Sequence, residues 1–171
     1  LVLSDYHYKS RVSRQININP IVYNMLVDAF AGGYTHANYI YSDDVLENVD
    51  SYDETSAYPY VLVTCKFPSS EFRPCNIKTI EEMLPNFAYL MKLTIVNPKC
   101  KYYNNFISSS KCSNIKGYPN YDNGRIISAK ELTITCTDVD ARLYLDAYTY
   151  DSYRIDDCFY SSYSYLPIEF V

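Results

Sequence analysis

Apolar and polar residues recur along this chain with two periods, and each change of period marks a predicted element. After Asn19-Pro20, Ile21, Val22, Met25, Leu26, Ala29 and Phe30 fall at helical spacing, which predicts a core-facing helix. Asn19 suits its N-cap and Pro20 its first position, where a missing N–H costs nothing. Gly32-Gly33 is the expected stop, because glycine takes positive φ freely. Glu47 to Asp53 reads as a strand, whereas Phe67-Pro68 and Phe72-Arg73-Pro74 read as a loop. Tyr60 to Thr64 is rich in β-branched residues and favours a strand by propensity, although Pro59 can open a helix.

The pattern is clearer further on. Ile80 to Leu84 suggests a helical turn, and Phe87 to Val96 a buried strand. From Lys99 to Asn123-Gly124 the chain is polar and tyrosine-rich, which reads as loops or a hairpin. Its lysines 99, 101, 111 and 116, interleaved with Tyr102, Tyr103 and Phe106, suit a backbone phosphate, a partner protein or plain solvation. Glu131 to Cys136 alternates, with Leu132, Ile134 and Cys136 on one face. Thr137 then caps a helix on which Val139, Leu143 and Ala147 repeat, and Arg154 to Tyr165 alternates as a final strand.

Composition sets the class. At 171 residues, 48% hydrophobic and 20% charged, the chain can bury a real core. No run of about 18 apolar residues predicts a membrane span, and no basic, apolar leader is present. The opening Leu suggests a piece of something longer. Six cysteines without a C-x-x-C pair, and two histidines (His7 and His36), complete no metal-ligand set; reduced thiols in a cytoplasmic setting are expected. A net charge of −5 predicts weak DNA binding by the chain alone. Lys9, Arg11 and Arg14 form a basic strip that reads as a solvated linker before it reads as a DNA contact.

Candidate chemistry centres on Tyr52 to Pro59, spaced D-x-x-S-x-Y-P. An Asp53 carboxylate at a strand end, facing beyond the sheet edge with the flat Tyr58 ring next to it, suits a magnesium-bound nucleotide, since Mg²⁺ takes a carboxylate plus substrate phosphates. Ser56 can serve an orphan backbone donor or a phosphate. The alternative is a turn with a core tyrosine, and 21 tyrosines make such coincidences common. Upstream lies Phe30-Ala31-Gly32-Gly33-Tyr34-Thr35, which spends two of four glycines as a pair.

Taken together, the two stretches resemble the protein-primed branch of the family B DNA polymerases. A [Y/F]-x-G-G-[F/Y]-T segment some twenty residues before D-x-x-S-x-Y-P has that family's order, and the likeness spans roughly residues 20 to 165. It implies an α+β fold: part of a polymerase palm, a mixed or antiparallel sheet with packed helices, followed by a β-α-β insertion subdomain. The corresponding divisions are a remnant at 1–19, palm at 20–98 and insertion at 99–171. The resemblance implies a helix after Pro59.

The same resemblance implies roles. Asp53 would be a catalytic, metal-bridging carboxylate, with the Glu54 carbonyl on the same Mg²⁺. Tyr58 would lie under the deoxynucleotide sugar and Ser56 would support the triphosphate or the local turn. Phe30, Gly32, Gly33 and Tyr34 would border template DNA, and the insertion would meet a priming terminal protein. Phe30 replaces the commoner Tyr and Ala57 the usual Leu. Tyr41-Ser42-Asp43-Asp44 looks like the paired-aspartate motif, but it precedes Asp53 where the family has it following, so it reads as an acidic surface turn. Neither K-x₃-N-S-x-Y-G nor Y-x-D-T-D appears. The expectation is a DNA polymerase segment that is inactive alone and prone to self-association through exposed strand edges. The competing class is a non-catalytic, tyrosine-rich interaction module.

Overall fold

Two antiparallel sheets and three α-helices form an α+β fold in the computed structural model, which describes residues 18–34, 39–41, 43–102 and 105–166. The basic strip, both histidines and Ser42 of the paired-aspartate look-alike lie outside the described residues. Helix α1 runs Pro20–Ala29, α2 Ala57–Thr64 and α3 Asp138–Ala147. Ten strands follow in chain order. They are β1 Phe67–Pro68, β2 Arg73–Cys75, β3 Phe87–Val96, β4 Lys99–Cys100, β5 Cys112–Lys116, β6 Asn120–Asp122, β7 Arg125–Ser128, β8 Glu131–Thr137, β9 Tyr148–Thr149 and β10 Ser152–Ser164.

The larger sheet has the order β1-β10-β3-β8-β5, with β2 also paired to β10. Its centre is β3, flanked on both sides by strands from the second half of the chain. Tyr89, Met91, Leu93 and Ile95 alternate onto one face and join Leu132, Ile134 and Cys136 of β8 in the main core. Each fully buried aliphatic side chain contributes about 1.5–3 kcal/mol. Helix α3 covers this face with Ala141, Tyr144 and Leu145, not with the expected Val139 and Leu143, which are exposed. Of the residues at i+4 spacing only Ala147 is buried, because the side of the helix turned to the sheet runs through Ala141, Tyr144 and Leu145.

The opposite face carries Leu90, and α1 lies across it with Val22 and Met25 in a second, smaller core. Asn19 caps this helix as expected, its Oδ1 accepting from the Ile21 N–H at 2.8 Å. Ile21 and Phe30, expected in the stripe, are exposed. The smaller sheet, β6-β7-β4-β9, is joined to the main core by Tyr148, whose ring is fully buried.

Other expectations need correction. Residues 44–54 contain no strand, so Asp53 does not end one. Tyr60 to Thr64 is helical, as the resemblance implied and propensity did not. The loop expected at 67–68 and 72–74 supplies edge strands β1 and, with Cys75, β2 through backbone pairing to β10, Pro68 and Pro74 included. Within 99–123, β5 joins the main sheet, and the Asn123-Gly124 hairpin between β6 and β7 forms as expected.

Candidate functional site

The D-x-x-S-x-Y-P stretch enters α2 through a tight turn. Ser56 stands before the helix at φ 59° and ψ 33°, a left-handed conformation that is uncommon outside glycine, and its side chain makes no capping hydrogen bond. The Tyr60 N–H reaches the Ser56 carbonyl at 2.9 Å, and the Cys65 N–H closes the helix on the Val61 carbonyl at the same distance. Asp53 and Glu54 are exposed just ahead of this turn, and Tyr58 is 83% exposed. Tyr58 is thus no core tyrosine.

What sets this segment apart is the helix itself. Ala57 to Thr64 reads A-Y-P-Y-V-L-V-T, yet none of its residues is buried. Val61, Leu62 and Val63 are each more than two-fifths exposed, and Val45, Val49 and Tyr52 upstream are more so. An apolar helix of this length gains little in water by itself, since most helical stability comes from burying a face.

The glycine arm lies elsewhere in the chain. Helix α1 does not end on a positive-φ glycine: Phe30 leaves it in extended backbone, its N–H on the Leu26 carbonyl at 2.9 Å. The described glycines that take positive φ are Gly117 and Gly124. Gly32 and Gly33 are exposed, and a Cβ on either would meet nothing within 4 Å. This fold therefore places no steric demand for glycine at either position.

Beyond the pair, Tyr34 is anchored. Its ring lies 5.8 Å from that of Phe106, and the Arg125 guanidinium sits 4.2 Å from its centroid, a cation–π contact. Arg125 also donates to the Phe106 carbonyl at 3.0 Å. Beside Phe106, Asn105 is buried with its Oδ1 unpartnered. The sequence offered no means of joining Arg125 to Tyr34; its only signal was a position just after the Asn-Gly hairpin.

Comparison with known proteins finds no matching family model, no matching curated protein and no matching solved structure.

The site residues fall into an acidic, aromatic segment at 53–58 and an aromatic, cationic one at 30–34 with Phe106 and Arg125. Asp43 lies in an exposed turn at φ 68°, with the Asp44 N–H on the Tyr41 carbonyl, as expected for a surface turn. Asp53 and Glu54 offer oxygen donors of the kind magnesium takes. However, the described residues include no group of three or more His, Cys, Asp or Glu placed to hold a metal. The donors near Asp53 do not by themselves fit a two-ion centre. Among the described residues no helix is long and apolar enough to cross a membrane.

Proposed function

We propose that this chain is part of a DNA-directed DNA polymerase of the protein-primed family B type, with Asp53 as its acidic centre. The observation that carries the reading is an exposed carboxylate followed directly by an apolar helix with no buried residue. Such a helix suits a face built to be covered, and an acid at its entrance suits a nucleotide and its cation. Order and spacing of the two motifs add to this support. Tyr34, backed by Phe106 and Arg125, offers a ring and a positive charge of the kind that meets a nucleic-acid strand.

In this reading Glu54, Ser56 and Tyr58 receive the deoxynucleotide, while Phe30, Gly32, Gly33 and Tyr34 border the template. Phosphoryl transfer rests on positioning and charge stabilisation, so one acidic segment is insufficient. The chain alone is accordingly inactive, and a priming protein is its proposed partner.

The test is primer extension with a protein that continues past Val171 through K-x₃-N-S-x-Y-G and Y-x-D-T-D. Magnesium-dependent synthesis lost in Asp53→Asn, with circular dichroism unchanged, supports the assignment; synthesis unaffected by that change removes Asp53 from the site. A reading frame with no such continuation favours the second reading, a non-catalytic interaction module. The fully exposed Tyr118 and the uncovered Tyr58 and Tyr60 support that alternative.

A further inference from the structure

Cys75 on β2 and Cys158 on β10 are direct partners in antiparallel register. No other two cysteines face each other across the described strand pairs. Directly opposed residues in such a pair have Cα atoms about 4.5–5.5 Å apart, inside the range a disulfide spans. Both thiols are free.

We propose that Cys75 and Cys158 form a reversible, oxidant-installed cross-strand disulfide, a modification site that fixes the tether of the candidate segment. The strands that lead out of α2 into the main sheet are β1 and β2, and both pair with β10. A bond from 75 to 158 would therefore fasten the route by which residues 43–66 reach the fold.

The two sulfurs have unequal roles. Cys75 is partly exposed, so it meets the oxidant first. Cys158 is buried and resolves the intermediate. With a low-molecular-weight disulfide as oxidant, the Cys75 thiolate attacks one sulfur, forming a mixed disulfide and expelling one thiolate. The Cys158 thiolate then attacks the Cys75 sulfur and expels the second. The protein loses two protons and two electrons, and the oxidant becomes two thiols.

Local backbone can absorb the contraction. The register of β10 against β3 shifts between Asp156 and Phe159, and Asp157 sits at φ 44° immediately before Cys158. Such a bulge already departs from regular pleating. Burial raises both thiols above their ordinary range, so little thiolate is present near neutral pH and oxidation quickens as pH rises.

The experiment treats the full chain with oxidised glutathione at pH 8, alkylates it under denaturing conditions and maps its peptides by mass spectrometry. The expected product is one peptide linking Cys75 to Cys158, cleaved by reductant and formed at a rate independent of protein concentration. In the thermal scan the oxidised protein melts higher, by on the order of 10 °C, because the bond closes a long loop. Cys65→Ser, which removes an exposed thiol, leaves the linkage intact. Stable glutathione on Cys75 without resolution, a link from Cys75 to another cysteine, or no link at all overturns the proposal. Since the mapping needs no substitution at 75 or 158, a variant that misfolds cannot obscure the result.

Discussion

The Asp138 carboxylate accepts a hydrogen bond from the Tyr89 backbone N–H at 2.9 Å, tying the first turn of α3 to the central strand β3. The same carboxylate accepts from the Tyr163 hydroxyl at 3.3 Å, which adds β10 to the junction. Asp138→Ala leaves the Tyr89 N–H buried without an acceptor and should cost about 1–3 kcal/mol in urea denaturation. Asp138→Asn keeps an acceptor for that N–H and should cost less. A loss in Asp138→Ala no larger than for an exposed surface change would show that this junction contributes little.

Alkaline pH should weaken the fold. Burial, and then the Asp138 charge, push the Tyr163 phenol up to about 12 from its ordinary value of 10. Burial also raises Tyr144 and Tyr148. Above pH 10 the unfolded chain releases these protons while the folded one holds them, so stability falls as pH rises from about 10 toward 12. It should not depend on these groups below that window. Urea midpoints at pH 9, 10 and 11, with phenolate absorbance followed in parallel, check the sign.

Tyr148 of β9 ties the smaller sheet to the segment beside it through its hydroxyl, donating to the Ile126 carbonyl of β7 at 2.6 Å and accepting from the Ile107 N–H at 3.3 Å. Tyr148→Phe keeps the ring but strands a buried donor and acceptor. The expected loss is about 1–3 kcal/mol, with protection from hydrogen exchange falling first at Ile107 and Ile126.

Two glycine substitutions should behave in opposite ways. At Gly117, φ is +83° and an added Cβ would lie 2.7 Å from Cβ of Lys130. Gly117→Ala should cost on the order of 2 kcal/mol through backbone strain and that clash. Gly33→Ala meets open space and should stay within about 0.5 kcal/mol of the parent. A destabilised Gly33→Ala would reveal a constraint on that turn other than side-chain space.

Helix α1 should be separable from the rest. Met25→Ala removes half of its buried pair on Leu90 and should cost about 2–5 kcal/mol against that face. Amide exchange should quicken along residues 20–29, while β3 and β8 stay protected by the larger core on their other side. Equal loss of protection everywhere would mean that the two cores fail together.

Much of the fold was legible because its strands are long and strongly patterned. Residues 87–96 and 131–137 emerged nearly as drawn, as did the Asn19 and Thr137 caps, whose side chains accept from Ile21 and Asp140. Failures came where tertiary pairing decides. Phe67-Pro68 and Arg73-Pro74-Cys75 have no strand pattern of their own; they are strands because β10 offers them an edge. The candidate site was legible only as two local motifs. The sequence indicated that Asp53 and Tyr58 were near one another along the chain, but not that α2 would stand uncovered. The contact of Tyr34 with Arg125 joins residues 91 positions apart, beyond the reach of any local pattern.

The thirteen-residue β10 holds β1, β2 and β3 together, and it comes after all of them in the chain. During synthesis on the ribosome those earlier strands must wait for most of the polypeptide to emerge before they find their neighbour. Chaperones that shield nascent chains therefore have the longest interval of opportunity at Phe67 to Val96, and arrested translation before Ser152 should leave that stretch open to proteolytic cutting.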